Sequence, residues 1–493
     1  MTMKQKNTAL ILAAIMLATS FVASCGSTET PEGDTTTGET TTASAEKERD
    51  PIAELGDHDL GGRTIRMLSH HDGLSDERTI WSTEMNGDMI NDIIYKRNSD
   101  VQDMYNFTLE MNTGDGWAAD YSKLKNSVLA GSRDYDLCFL LPFAARANIV
   151  IDGLMYNMLE VPHLRFDEAW WHRNVNDLFT FDGYLPFVSS DMLLSSYQYA
   201  NALIFNKKIA DDYGLNDIYD VVRSGKWTLD KFAEYAEKTS ADLNANGKAD
   251  VEDRFGFATN FGYHAITWQY AIGEITVRLD PKEGVELGLK DERFYNLAEW
   301  MYDLFYNSGS VFEIEWDKEC DIKWDEDRVF MQAIWVNDLE KFRSYRSEFG
   351  VIPYAKYDET QEGYYTYVDA RAGGLAIPVD CDEQTIDDDG LIIEAMSYLS
   401  YRDLIPAYLE SVTSSKLTRD EDSIEMLEII NAGRRWDIGY TMSEDNSYTW
   451  VLRTDLKKSG GKLASTLESM TDKTVTNFEK VLEAYKGLSE LYK

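Results

Sequence analysis

The segment Asp242-Leu243-Asn244-Ala245-Asn246-Gly247-Lys248-Ala249-Asp250-Val251-Glu252-Asp253 spaces its oxygen-bearing side chains as a calcium loop does. A hard cation takes oxygen ligands, and a twelve-residue loop supplies them from positions one, three, five, seven, nine and twelve. Asp242, Asn244, Asn246, Asp250 and Asp253 fill the side-chain positions, and Lys248 offers its backbone carbonyl. Gly247 stands where the loop must turn sharply. Position twelve is Asp253 rather than the usual Glu, so it reaches with one oxygen instead of two and the site is weak. A structural calcium that stiffens the loop is expected; an Asx-rich surface turn without metal is the alternative.

No other constellation announces chemistry. The chain has no G-x-S-x-G, no H-E-x-x-H and no glycine-rich phosphate loop. Of its six histidines only His70 and His71 are adjacent, which fits solvated or hydroxyl-bonding groups better than a metal centre. A binding role without catalysis is therefore expected. Carboxylates are numerous enough to leave a glycosidase pair open, so a lipid-anchored glycoside hydrolase is one rival reading and a surface polysaccharide-binding adhesin another.

The elements that must position these residues show a regular alternation. Residues 64–69 read as a strand. Asp88 caps a helix to about residue 102, with Ile90, Ile93, Ile94 and Val101 on its apolar side. Residues 106–111 alternate as a strand, a helix follows Asp120, and residues 135–141 form a buried strand that contains Cys138. This order predicts a doubly wound parallel α/β sheet, in which ligands bind beyond the carboxyl ends of strands. The rule points to His70, His71 and Asp72 after the first strand, and to Pro142, Phe143 and Arg146 after the third. The segment 463–490 carries an interrupted helical stripe from Leu463 to Tyr485, expected to pack on the body.

The N-terminus supplies an address. Lys4 and Lys6 precede residues 8–23, which hold no charge. Such a stretch falls short of the about 20 apolar residues of a spanning helix and fits a secretory signal peptide, residues 1–24. Val22-Ala23-Ser24-Cys25 resembles a bacterial lipobox, which makes Cys25 the expected lipid acceptor. Residues 26–50 contain no large apolar side chain and are expected to stay disordered, so 25–55 forms a tether with a span of roughly 25–30 Å. An extracytoplasmic, membrane-anchored location follows. Beyond it no apolar run reaches spanning length. The net charge of -39 lacks the basic footprint that a nucleic-acid binder needs. The chain has four cysteines, and lipidation of Cys25 leaves Cys138, Cys320 and Cys381, an odd number that implies no simple disulfide framework.

The middle of the chain carries an ordered set of motifs. Phe205-Asn206-Lys207-Lys208, Tyr213-Gly214-Leu215, Gly225-Lys226-Trp227-Thr228 and the Asp/Asn loop follow one another. Phe349-Gly350-Val351-Ile352-Pro353-Tyr354, Gln361-Glu362-Gly363-Tyr364-Tyr365 and the run from Arg419 to Leu427 come later. In this order they resemble the family 1 extracellular solute-binding proteins of carbohydrate ABC importers, over most of residues 60–455. One departure is Pro353-Tyr354-Ala355-Lys356, where the family often has Pro-Tyr-Pro-Lys.

The resemblance implies a two-lobed α/β venus-flytrap fold, each lobe a mixed sheet flanked by helices. Crossings fall near residues 190, 369 and 412, so one lobe takes 56–189 plus 370–412 and the other 190–369 plus 413–493. It implies a monomer that binds a carbohydrate, expected to be an oligosaccharide, in the cleft and delivers it to ABC permease subunits. A pyranose has an apolar face for aromatic rings and hydroxyls for polar side chains. The chain offers 12 Trp, 29 Tyr and 20 Phe, most of which must be core. The resemblance puts Trp335, in Met331-Gln332-Ala333-Ile334-Trp335-Val336-Asn337-Asp338, against the sugar. Trp268 with Tyr270, Trp171 with Trp170, and Trp117 are further stacking candidates. Asp191 and Tyr197 at the first crossing, and Asp369 and Arg371 at the second, are expected either to reach the ligand or to bridge the lobes.

Overall fold

Two separate sheets organise the chain, and each collects strands from distant parts of the sequence. The computed structural model describes residues 49–69, 80–113, 119–314, 324–342, 345–369, 371–413, 421–444 and 447–492. In chain order the strands of the two sheets are β1 (Arg63–Ser69), β2 (Phe107–Thr113), β3 (Leu137–Leu140), β4 (Asn201–Asn206), β5 (Phe255–Asn260), β6 (Val311–Ile314), β7 (Val329–Trp335), β8 (Phe349–Ile352) and β9 (Gly374–Ala376). The first sheet has the order β9-β3-β1-β2 and the second β8-β4-β7-β5-β6.

In the first sheet β1 runs parallel to β2 and β3, as the alternation predicts, and β9 joins β3 antiparallel. The helix after β1, α1 (Met89–Tyr105), starts where the Asp88 carboxylate accepts the Asn91 amide. It stops at Asn106, whose φ of 53° ends the helix in the left-handed region. Cys138 is fully buried in β3. In the second sheet β5 is parallel to β6 and β7, while β4 is antiparallel to β7 and β8. Gly256 in β5 lets the helix Leu229–Thr239 lie against the strand: a Cβ there would stand 1.9 Å from the Ala236 carbonyl oxygen.

Each sheet with its helices is one lobe. The chain passes to the second sheet between β3 and β4 and returns between β8 and β9. It leaves again after the helix Glu383–Leu399, because the helix Glu421–Ala432 lies on β8. Lone bridges Val188–Leu375 and Ala200–Val368 tie the first two passages together.

Helix α2 (Phe261–Ala271) leaves the carboxyl end of β5 directly. Most of its residues are buried, the pattern of a helix enclosed on all sides. Helix α3 (Glu383–Leu399) is the buried helix of the first lobe; its Asp382 cap accepts the Thr385 amide. Helix α4 (Ala464–Glu490) is one unbroken helix of 27 residues, where the sequence stripe suggests an interruption. It touches the strand Gly284–Leu287 of the second lobe and the short helix Asn148–Ile151 of the first. Near its end Tyr485 donates to the Phe179 carbonyl at 3.1 Å and Ser489 to that of Asp182 at 2.5 Å. No helix among the described residues is long and apolar enough to cross a membrane.

Candidate ligand-binding cleft

Trp335 is the last residue of β7, at the carboxyl end of the second sheet. It is half-buried, and rings crowd its edge: Tyr263 at 5.1 Å, His264 at 5.4 Å and Tyr199 at 6.1 Å between centroids. One face carries the Arg371 guanidinium, 4.6 Å from the ring centroid. Arg371 also lies 5.3 Å over Tyr263 and donates to Asp369 at 2.9 Å. The structure thus brings Trp335, Asp369 and Arg371 into one cluster. The buried indole N–H of Trp335 and the side-chain oxygen of Asn337 meet no hydrogen-bond partner among the described residues. A ligand hydroxyl or water is the natural partner for such groups.

His264 anchors the floor. It exchanges a 2.7 Å hydrogen bond with Asn201, the first residue of β4, and burial pushes its pKa down to about 4. The imidazole is therefore neutral at pH 7 and polar without charge. Tyr263 and His264 follow β5 as Trp335 ends β7, so the strand-end rule applied to β5 would have found them.

The first lobe enters at the end of β3. Phe143 stacks on Tyr440 of the short helix Ile438–Met442, with centroids 4.9 Å apart and planes at 22°. Trp450 lies 6.4 Å from the same ring at 23°. Arg146 sits 5.4 Å over Phe143 and donates to the carbonyls of Ser443 and Glu444. Beside these rings Tyr367, Asp369 and Asp437 help line a crevice of about 10 Å³. Asp437 is held by Thr276, and burial raises its pKa. Tyr440 and Trp450 come from a C-terminal segment in which no sequence motif marks them as cleft residues.

Several expectations need correction. Trp268 is fully buried in α2, wedged among Phe232, Trp300 and Tyr354, so it is core and cannot stack on a ligand. Tyr270 is buried on the same helix, stacked on Tyr367 at 4.7 Å. Trp170 and Trp171 are buried in the first lobe, where both indoles donate to one carboxylate, Glu394 of α3, at 3.1 and 3.0 Å. Arg165 donates to the same group at 2.7 Å. Asp191 and Tyr197 bond inward: Asp191 accepts from Tyr197 at 2.7 Å and pairs with the buried His172 at 2.8 Å. Trp117, His70, His71, Asp72, Cys25 and Cys320 lie outside the described residues.

The Asp/Asn loop closes on its own amides. Asp242 accepts from Gly247, Asn246 from Lys248, and the buried Asp253 from Leu243 and Asp250. Asn244 and Asn246 turn their amide nitrogens toward Asp250, at 3.2 and 2.7 Å. No three His, Cys, Asp or Glu side chains among the described residues converge to hold an ion. A groove of about 540 Å³ beside the loop is lined by Asp242, Lys248, Asp253 and Arg254, at the end of β5 opposite to the cleft.

No family model matches the chain, and no curated protein matches it in sequence. Solved structures do match in fold. The galacto-N-biose-/lacto-N-biose I-binding protein of an ABC transporter from Bifidobacterium longum, in complex with lacto-N-biose, superposes with a TM-score of 0.55 at 13% identity. The match covers 85% of this chain and 98% of that one. The fold is that of an ABC-transporter solute-binding protein. A solute-binding protein from Thermotoga lettingae, bound with alpha-D-tagatose, gives 0.51 at 14% identity over 85% of this chain and all, 100%, of its own. UgpB from Mycobacterium tuberculosis, in complex with glycerophosphocholine, gives 0.51 at 14% over 86% and 98%. The lobes that carry Trp335 and Phe143 are thus the halves of a solute-binding fold.

Proposed function

We propose that the chain is the extracytoplasmic substrate-binding component of an ABC importer and that it takes a carbohydrate, of oligosaccharide size, into the cleft between its lobes. The observation that carries this reading is the cluster at the end of β7. An aromatic face at Trp335, a guanidinium–carboxylate pair at Arg371 and Asp369, and an unpaired indole N–H stand together in a solute-binding fold. Such a set meets both surfaces of a sugar, the C–H face and the hydroxyl rim. Lacto-N-biose and tagatose in the similar structures agree with it, while glycerophosphocholine in a third marks how widely the fold is used.

In this reading the ligand touches both lobes only when they close, so binding shifts the population toward the closed form, which the permease subunits meet. The chain works as a monomer and performs no chemistry on its ligand. Cys25 carries a lipid, and the Thr-rich tether holds the body off the membrane surface. Calorimetry with product analysis on an oligosaccharide panel tests the function: binding without turnover is expected. Turnover of the bound sugar would replace the reading with a hydrolase.

A calcium ion in the Asp/Asn loop belongs to the same proposal. The loop as it stands does not gather its oxygens, and rotation of the Asn244 and Asn246 amides would turn two of them inward. The ion would stiffen the loop and take no part in ligand binding. Melting with calcium against excess chelator checks it, since an ion bound only to the folded state must raise the midpoint. An identical midpoint in both would remove calcium.

A further inference from the structure

We infer that the cleft selects an acidic saccharide, one whose rings bear carboxylates, and that Arg146, Arg371 and Arg453 receive its charge. The inference rests on the carbohydrate-binding reading and narrows it to one class of ligand.

Positive charge is scarce in this chain. The sequence holds 48 basic residues against 87 acidic ones, a net charge of -39. Against that background three guanidinium groups gather at one place, each laid on a ring of the cleft. Arg371, beside the second crossing, lies 4.6 Å over Trp335 and 5.3 Å over Tyr263. Arg453, on the helix Val451–Ser459, lies 4.5 Å over Trp450. Arg146, after β3, lies 5.4 Å over Phe143. The rings connect them, since Trp450 stands 6.4 Å from Phe143 and 6.3 Å from Tyr440. Burial raises the Tyr440 pKa and Asp369 raises it further, while Arg371 and Arg453 both oppose the rise. The phenol thus stands in the field of both guanidinium groups.

The carboxylates nearby do not offset this charge. Asp369 and Asp437 are buried among the rings. Asp369 accepts from Arg371, and Asp437 is held by Thr276 with its pKa raised by burial, which weakens its charge. Beside Trp335, Asp338 pairs with Lys341 at 2.8 Å. Arg146 makes its bonds to the backbone carbonyls of Ser443 and Glu444, which carry no net charge. Among the described residues the cleft wall is therefore locally positive in an acidic body.

Burial lowers the Arg453 pKa, so its charge is poorly solvated where it stands. Such a group gains most from an anion. A carboxylate meets the planar guanidinium fork with two oxygens, whereas a neutral hydroxyl meets the same N–H groups without balancing the charge. Arg146 belongs to the first lobe, and the helix of Arg453 packs on α2 of the second. One acidic ligand thus draws both lobes together, as closure on binding requires.

The test is calorimetry on the full chain. The probes are trigalacturonate and triglucuronate, each beside its full methyl ester, with maltotriose and cellotriose as neutral sugars. At least one acid should bind roughly tenfold or more tighter than its ester. Added salt should weaken the acid and spare the ester. Arg453→Gln and Arg146→Gln should each bring acid and ester within about threefold, while Arg453→Lys, which keeps the charge, should retain most of the preference. Circular dichroism and a cooperative melt confirm that each variant folds. An ester or neutral sugar that binds as tightly as the acids would overturn the acidic ligand and leave the carbohydrate reading standing. No binding of any probe by wild type would overturn both. Variants that lose acid and ester in equal proportion, with the preference intact, would make these arginines packing elements and overturn the inference as well.

Discussion

At the scale of residues, the cleft turns on which aromatic rings keep a usable face. Trp335 is half-buried, with the Arg371 guanidinium over one face. Replacing it with Ala should weaken binding of the cognate sugar by roughly 1–3 kcal/mol, and calorimetry showing unaltered affinity would take Trp335 out of the site. Trp268, Trp170 and Trp171 keep no such face, and their burial was not legible, because a sequence shows that a tryptophan exists and not what covers it. Glu394, the group that claims two indoles at once, lies far along the chain from them. The strand-end rule points to Phe143 and Arg146 after β3, and applied to β5 it points to Tyr263 and His264. His264 also carries a pH signature. Its folded pKa of about 4 lies below the unfolded value near 6.5, and burial depresses His172 in the same direction. The unfolded chain therefore binds more protons between those values, and stability present above pH 6.5 is lost as pH falls toward 4. For His264 the loss is roughly 3 kcal/mol. The difference in melting midpoint between wild type and His264→Gln should shrink from pH 7 to pH 4.5; a constant difference would sink the assignment.

At the scale of elements, the strands and helices of the first lobe followed from their own residues. Asp88 capped α1, the alternation at 106–111 gave β2, and the apolar run at 135–141 gave β3. What the sequence hid was long-range pairing. β9 has three residues, too few for a period, and owes its place to β3. Gly373, just before it, sits so close to Phe139 that a Cβ would stand 1.9 Å from the ring, so this edge is built by contact rather than propensity. Helix α3 shows how one residue can bind an element to its lobe. Glu394 is fully buried and accepts from Trp170, Trp171 and Arg165. Glu394→Ala would strand two indole N–H groups and a guanidinium, at a cost of about 3–5 kcal/mol. Urea unfolding should show that loss, and a variant as stable as wild type would mean that water replaces the carboxylate.

At the scale of the molecule, the ordered motifs between residues 202 and 427 implied two lobes, and the solute-binding fold has them. The part no motif foretold is how the lobes are joined at the C-terminus. Helix α4 is about 40 Å long at 1.5 Å per residue. Its Leu467 end lies toward the second lobe, while Tyr485 and Ser489 are bonded to Phe179 and Asp182 of the first. Insertion of two glycines between Lys473 and Thr474 should break this continuity while leaving both ends apolar. Small-angle scattering of the ligand-free variant should then show a larger radius of gyration than wild type, and an equal radius would deny the helix a mechanical part. If it has one, α4 is a torsion bar. A rod gripped by both halves resists their being pulled apart yet lets them turn about its long axis. The easy motion of this protein is then a twist, and the cleft would admit its solute by shearing open sideways instead of gaping like a jaw.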